Sequence, residues 1–242
     1  MQERLIAQMR EVEERHWWFR ARREVLLSLV RSELEPGARF LDAGCGTGFF
    51  LEAARRFFDV TGLDPSPEAI AACARRGLHR TMQGGLEDLP AIGGGFDGAA
   101  LFDVIEHLDD DVAALQAARG ALRPGGRIFV TVPAYSWLWS HHDDIHGHRR
   151  RYTRSRLRDL LREAGCQQVR TGYFNARMFP VALAVRGWQR LTGLGRESDL
   201  RVPPDLINSL FGRCFAGEAS RLGRKGAAGY PFGLSVFAVG TA

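Results

Sequence analysis

Several things are scarce in this 242-residue chain, and each scarcity removes a class of protein. Lysine is almost absent: Lys225 is the only one, and arginine supplies the rest of the positive charge. The net charge is only +5, with the arginines spread along helix-like stretches rather than gathered in one basic tract. No nucleic-acid-binding module accompanies them, which argues against an RNA or DNA substrate. The four cysteines, Cys45, Cys73, Cys166 and Cys214, stand singly without CxxC spacing, so neither a zinc ribbon nor a disulfide framework is expected, and reduced thiols are. No uninterrupted apolar run approaches the roughly 20 residues that span a bilayer. Met1–Arg4 lead into a charged helical pattern rather than a signal peptide, so the expected location is cytoplasmic, with peripheral contact at the inner membrane surface left open.

What is present centres on Phe40-Leu41-Asp42-Ala43-Gly44-Cys45-Gly46-Thr47-Gly48. An apolar run ends at an acid, and glycines then let the backbone turn tightly and approach a ligand that a Cβ would block. Val60–Asp64 reads as a second strand, whose closing acid can accept hydrogen bonds from both hydroxyls of a ribose. The spacing is GxGxG rather than the GxGxxG of dinucleotide folds. Asp42, two residues before the first glycine, would repel a pyrophosphate but suits a ligand with a positively charged amino-acid end.

These residues resemble the class I S-adenosylmethionine-dependent methyltransferases. Two further segments match in order: Phe96–His107, like the family's fourth strand and exit loop, and Leu122–Pro133, like its turn and fifth strand. The resemblance covers roughly residues 38–175 and returns at Gly233–Gly240, which fits the family's antiparallel final strand. It implies S-adenosyl-L-methionine as cofactor, with Asp42, Gly44 and Gly46 at the methionine portion, Asp64 on the ribose and Phe102 at the fourth-strand exit. After the third strand the family often carries an acid near the adenine. Gly85 stands in that place here, leaving the Leu86 backbone and Glu87 for adenine recognition.

Strands alternate with helices from Arg39 to Val132, the pattern of a doubly wound α/β sheet, mostly parallel, which binds ligands at the carboxyl ends of its strands. With the resemblance, this implies a seven-stranded Rossmann-like methyltransferase fold with an antiparallel final strand and a helical cap. Expected boundaries are an N-terminal helical cap at 1–37, a core at 38–174 with 233–242, and a helical insertion at 175–232 serving as a substrate cap. The first segment carries apolar stripes at Leu5, Ile6, Met9 and Val12 and at Val25, Leu26, Leu29 and Val30. Its aromatic cluster offers Trp17 and Trp18 either as a roof over the pocket or as packing against the sheet. The insertion has helical stripes at Val181, Ala182, Val185, Trp188 and Leu191 and at Leu206, Ile207, Leu210, Phe211, Cys214 and Phe215. These stripes either pack on each other and on the N-terminal helix, or dock on an anionic bilayer beside Arg186, Arg190, Arg213, Arg221, Arg224 and Lys225.

Trp137–Tyr152, directly after the fifth strand, is the densest set of acid-base side chains. Similar methyltransferases carry an acid, Gly-His and Arg-Arg-Tyr here, which maps onto Asp144, Gly147, His148, Arg150, Arg151 and Tyr152. His148 or His146 are candidate bases, with His107 a third, while Arg150 or Arg151 can hold an anionic acceptor. The competing reading is a structural clamp. No metal is expected, since His141, His142, Asp143 and His146 do not share a helix face. The function expected is methyl transfer to a small-molecule or lipid-linked acceptor. A noncatalytic cofactor-binding sensor or scaffold and, more remotely, an RNA methyltransferase are the alternatives. A nicotinamide oxidoreductase is disfavoured by the glycine spacing and Asp42. The acceptor and the oligomeric state are not legible.

Overall fold

A computed structural model describes residues 12–192 and 202–242. The stripe at Leu5, Ile6 and Met9 lies outside the described residues. Seven strands form one sheet: β1 (Arg39–Ala43), β2 (Asp59–Asp64), β3 (Thr81–Gln83), β4 (Phe96–Phe102), β5 (Leu122–Pro133), β6 (Gln167–Phe174) and β7 (Ser235–Thr241). Their order is β3-β2-β1-β4-β5-β7-β6. The first five run parallel, and β7 lies antiparallel between β5 and β6. Strand order therefore reverses between β1 and β4, which opens the ligand crevice at the ends of those two strands.

The period of two along each strand builds two cores. Leu41, Leu101, Ile128, Val130, Val132, Val236 and Ala238 face the helices α5 (Asp111–Gly120) and α7 (Arg154–Glu163). Phe40, Ala100, Phe129, Phe174, Phe237 and Val239 face the other way, onto α1 (Trp17–Arg31) and α2 (Phe49–Ala54). Three short helices complete the parallel half: α3 (Pro67–Arg75), α4 (Leu89–Ile92) and α6 (His141–His146). The N-terminal segment is not one helix. The chain turns at Glu14 and Arg15, and His16, in extended conformation, starts α1 by accepting the Trp18 N–H at its Nδ1 (3.2 Å). Ser32 then caps α1, several residues before Pro36.

The 175–232 segment supplies α8 (Phe179–Thr192), α9 (Asp205–Ala216) and α10 (Ala219–Leu222). α9 and α10 lie on α1, with Phe215 fully buried against Phe174 and edge-on to Trp17. The expectation that both apolar stripes pack inward holds for only part of one. Phe211, Cys214 and Phe215 turn toward α1. On α8, Val181, Val185, Trp188 (65% exposed) and Leu191 (88%) face solvent, and so do Leu206 (79%), Ile207 and Leu210 on α9. The reason is geometric: α1 is a single cylinder and contacts one side of α9, which leaves the opposite side and α8 without a covering layer among the described residues.

Phe215→Ala removes the ring that joins α9 to α1 and the sheet, so a loss of about 3–5 kcal/mol is expected. Urea unfolding followed by circular dichroism measures it, and a loss under 1 kcal/mol would show that α9 is not anchored there.

Candidate functional site

The turn after β1 is shaped by its glycines. Gly44 has φ +87°, and a Cβ on it would lie 2.4 Å from Val104 Cγ2, so β1 and the β4 exit approach as closely as they do only because no side chain intervenes. The Gly46 N–H donates to Asp64 Oδ2 (2.8 Å) and Ser66 N–H to Asp64 Oδ1 (3.0 Å), fixing the acid that closes β2 beside the loop. Asp42 is buried, and its Oδ1 has no hydrogen-bond partner among the described residues. Burial pushes its carboxyl up to about 7, against the opposing pull of the Arg22 guanidinium. Glu13, which the motif reading passed over, accepts from Thr47 Oγ1 (2.5 Å) and pairs with Arg76, tying the N-terminal segment to the glycine loop.

Around this loop the other strand ends converge. After β3, Leu86 leans on the core, Asp88 caps the Gly85 N–H (2.9 Å), and Glu87 is exposed. A Cβ on Gly85 would sit 2.3 Å from both Glu87 carboxylate oxygens, so Glu87 fills the space that a side chain at 85 would occupy. At the end of β4, the Phe102 ring packs edge-on against Phe50, and Asp103 takes φ +56°. Arg22, reaching in from α1, pairs with Asp103 Oδ2 (2.7 Å), donates to Thr131 Oγ1 (2.9 Å) and lies over the Trp18 ring. Its Nε is buried without a partner. Trp18 thus borders this crevice through Arg22, whereas Trp17 turns away, edge-on to Phe211 with its N–H on Asn208 Oδ1 (2.8 Å).

Across the crevice, α6 begins at Ser140 with a capping box closed by Asp143 and ends at Gly147 in the left-handed region. Asp143 is buried; besides the Ser140 N–H of the box on Oδ2 (2.8 Å), it takes Arg151 Nε on Oδ1 (2.7 Å), Arg151 Nη2 on Oδ2 (2.9 Å) and His148 Nδ1 on Oδ1 (2.8 Å). Burial alone would raise its carboxyl, but bonds from His148 and Arg151 outweigh it and hold Asp143 well below the usual carboxylate range. An ionised carboxylate has no proton to give, so His148 Nδ1 is the donor, and this bond fixes the ring with Nε2 turned away from Asp143.

The arginines and tyrosine of the acceptor motif are engaged within the protein. Arg150 donates to Asp111 Oδ1 (2.9 Å) and to the Leu108 and Asp109 carbonyls, and Arg151 donates also to the Ala134 carbonyl. Tyr152 donates to Asp111 Oδ2 (3.0 Å) and is buried. Asp144 accepts the Trp139 indole N–H (2.9 Å) on the surface. These geometries are those of a clamp holding this segment to the β4 exit, not of groups awaiting an anion. His142 and His146 do share a helix face, with rings 4.1 Å apart, and His142 is pushed down to about 3 by burial with His146 adding to the effect. His107 lies edge-on to His148 at 4.9 Å, its proton affinity lowered by burial and then by His148. Beside them is Glu106, fully buried with both carboxylate oxygens unpartnered, a residue no motif had singled out.

A doubly wound sheet with its seventh strand reversed, an acid-led glycine loop after β1 and an acid closing β2 together define a nucleotide-type fold of the methyltransferase class. A family model described as a methyltransferase domain matches residues 15–171, more than half of the chain, and the chain belongs to that family, the class I S-adenosylmethionine-dependent methyltransferases. It is similar to a protein named ubiquinone biosynthesis O-methyltransferase from Xanthomonas axonopodis pv. citri, 34% identical over 131 residues, covering 48% of this chain and 55% of that one. A protein of the same name from Xylella fastidiosa is 40% identical over 105 residues, covering 39% and 42%. The chain spans about half the length of the curated relatives it matches. Among solved structures, a SAM-dependent methyltransferase from Thermotoga maritima superposes with a TM-score of 0.61 at 20% identity, covering 99% of this chain and 96% of that one. One from Archaeoglobus fulgidus gives 0.59 at 18%, covering 91% and 94%, and both show the fold.

The depressed Asp143 carboxyl makes a prediction for acid stability. Its contribution is complete above the unfolded carboxyl value of about 3.9 and is lost as the pH falls below it toward the folded value. Asp143→Asn should therefore be less stable at pH 7, and the stability gap should narrow as the pH falls below 4. Urea midpoints across pH 3–7 measure this, and a gap independent of pH would contradict the assignment.

Proposed function

We propose that the protein transfers a methyl group from S-adenosylmethionine to an oxygen of a small-molecule or lipid-linked acceptor. The observation that carries the reading is the buried, unpartnered Asp42 Oδ1 beside Asp64 on the glycine loop: an orphaned acid there fits the ammonium end of the cofactor. Asp42 would hold that ammonium, and Arg22, with its unpartnered Nε, the neighbouring carboxylate. Asp64 would take the ribose hydroxyls, and Leu86, Glu87 and Phe102 would border the adenine end. Bound there, S-adenosylmethionine supplies an electrophilic methyl on a good leaving group, so the protein's main task is to position the acceptor and exclude water.

On the acceptor side, His148, oriented by Asp143, and His107 form the pair that lowers the cost of deprotonating the acceptor hydroxyl. His146, stacked on His142, is a surface neighbour of that pair rather than part of it. Arg150, Arg151, Tyr152 and Asp144 hold the segment in place, and the α1 and 175–232 segments close the site as a cap, Trp18 bordering the crevice and Trp17 locking α1 to α9. The choice of oxygen is supported by the names of the curated relatives, both O-methyltransferases.

A second reading is favoured by the uncovered apolar side of α8 and α9, with Trp188, Leu191 and Leu206 the most exposed. We infer that this side docks on an anionic bilayer and gives access to a lipid-linked acceptor, with exposed Arg213, Arg221, Arg224 and Lys225 supplying positive charge. The Arg190 side chain lies outside the described residues. No helix of the described residues is long and apolar enough to cross a membrane, so contact would be peripheral.

Three measurements test these readings. Asp64→Ala should weaken cofactor binding by calorimetry by the roughly 1.5–3 kcal/mol of a charge-assisted hydrogen bond, and unchanged affinity would falsify its place on the ribose. Since protonation of Asp42 removes the charge that holds the ammonium, affinity should fall as the pH drops below about 7, approaching tenfold per unit, and Asp42→Asn should bind weakly without that dependence. Methyl-labelled cofactor incubated with lipid and aqueous cell fractions should label the lipid fraction, and cosedimentation with anionic vesicles should fail for Trp188→Glu. Label confined to the aqueous fraction, with all protein in the supernatant, would remove the bilayer reading and leave the methyl transfer intact.

A further inference from the structure

The Glu106, His107 and His148 cluster is unusual in what it leaves unsatisfied. One carboxylate oxygen and one ring nitrogen from each histidine all lie within 4.8 Å of one another. Glu106 is fully buried, and among the described residues neither carboxylate oxygen has a hydrogen-bond partner. A buried carboxyl left in this way is costly whether ionised or protonated, because the first state lacks a counter-charge and the second lacks an acceptor for its proton. The two histidines are oriented from behind. His148 Nδ1 is bonded to Asp143 Oδ1 (2.8 Å), which Arg151 holds by two bonds, so the ring is fixed with Nε2 turned away from Asp143. His107 is held through its ring by the Gly147 backbone. A carboxylate fixing one ring nitrogen so that the other can bind a cation is the supporting arrangement found behind metal-ligating histidines.

We propose that Glu106, His107 and His148 bind one divalent first-row transition ion, of the zinc, manganese or iron(II) kind. Two imidazoles and a carboxylate suit these ions and not magnesium, which prefers oxygen ligands and retained waters. Three protein ligands leave coordination positions open, as in catalytic rather than structural sites. Of the other histidines and acids in this segment, Asp143 supports the cluster and does not ligate, and His141, His142 and His146 lie outside it.

The role follows from the proposed methyl transfer and rests on that reading. The acceptor hydroxyl binds the ion through oxygen, and the ion lowers its pKa so that its proton passes to solvent. The oxygen then forms a bond to the methyl carbon as the carbon–sulfur bond breaks, and the electron pair of that bond stays on sulfur as a neutral thioether.

The test uses the full chain freed of metal and titrated with Co2+ and Zn2+, with Mg2+ as control. One Co2+ per chain with visible ligand-field bands and competition by Zn2+ are expected, with Mg2+ failing to compete. Glu106→Gln, which keeps the shape, and His107→Ala should each weaken Co2+ binding at least 10-fold, while His141→Ala, outside the cluster and exposed, should leave it unchanged. Circular dichroism and cofactor calorimetry on the same variants separate loss of the ion from loss of the fold. Stoichiometric binding that survives Glu106→Gln and His107→Ala but is lost in a His142→Ala, His146→Ala double variant would overturn the assignment, as would no binding at all. If cofactor binding and labelling persist without any ion, the metal proposal fails while the methyl-transfer reading stands. If the ion binds but no cofactor does, the reverse holds.

Discussion

The buried Asp143 carboxylate is the constraint on which the acceptor half of this protein depends. It sits in the first turn of a six-residue helix too short to persist alone, yet it closes that helix's cap, neutralises Arg151 and aims His148. Arg151 also grips the Ala134 carbonyl at the end of β5, so the same ion pair that orients a histidine holds the segment to the sheet. Breaking a buried pair of this kind by removing one partner leaves an uncompensated charge, at a cost of about 3–5 kcal/mol. Stability and site geometry are therefore not separable here. The neighbouring clamp of Arg150 and Tyr152 on Asp111 extends the hold to the start of α5.

The cofactor half is organised differently, by backbone rather than by a charge hub. Gly44 allows β1 and the β4 exit to touch, and Asp64 spends both oxygens on N–H groups of the adjoining turns. The two halves meet at Arg22, whose guanidinium reaches Asp103 and Thr131 and whose charge is felt at both Asp42 and Glu106. Burial followed by the charge of Asp103 raises the Glu106 carboxyl well above the usual range. One cation from α1 thus lies between an acid suited to an ammonium and an acid suited to a metal. This is a reason for the N-terminal helix to be part of the site and not only a cover for the sheet.

What the sequence by itself determined is whatever repeats or stays local. The alternation of strands and helices, the acid-led glycine loop and the acid closing β2 are set by backbone geometry within a few residues, and each lies where its motif put it. The helix at His141–His146 was legible too, in Ser140, Asp143 and Gly147, but the run of histidines drew attention away from its caps. Only the tertiary structure decided which charged side chains are occupied and which are free. For Arg150, Arg151 and Tyr152 the motif left anion binding and a structural clamp both open, and only the approach of Asp111 and Asp143 shows these side chains engaged within the protein. No motif gave Glu106 or Arg22 a role; their setting comes from the packing of the β4 exit and α1. The physical reason is that a charged group's role depends on its nearest counter-charge and on its access to water, and both are fixed by contacts between residues as far apart as Arg22 and Asp103. Motif spacing carries no record of them.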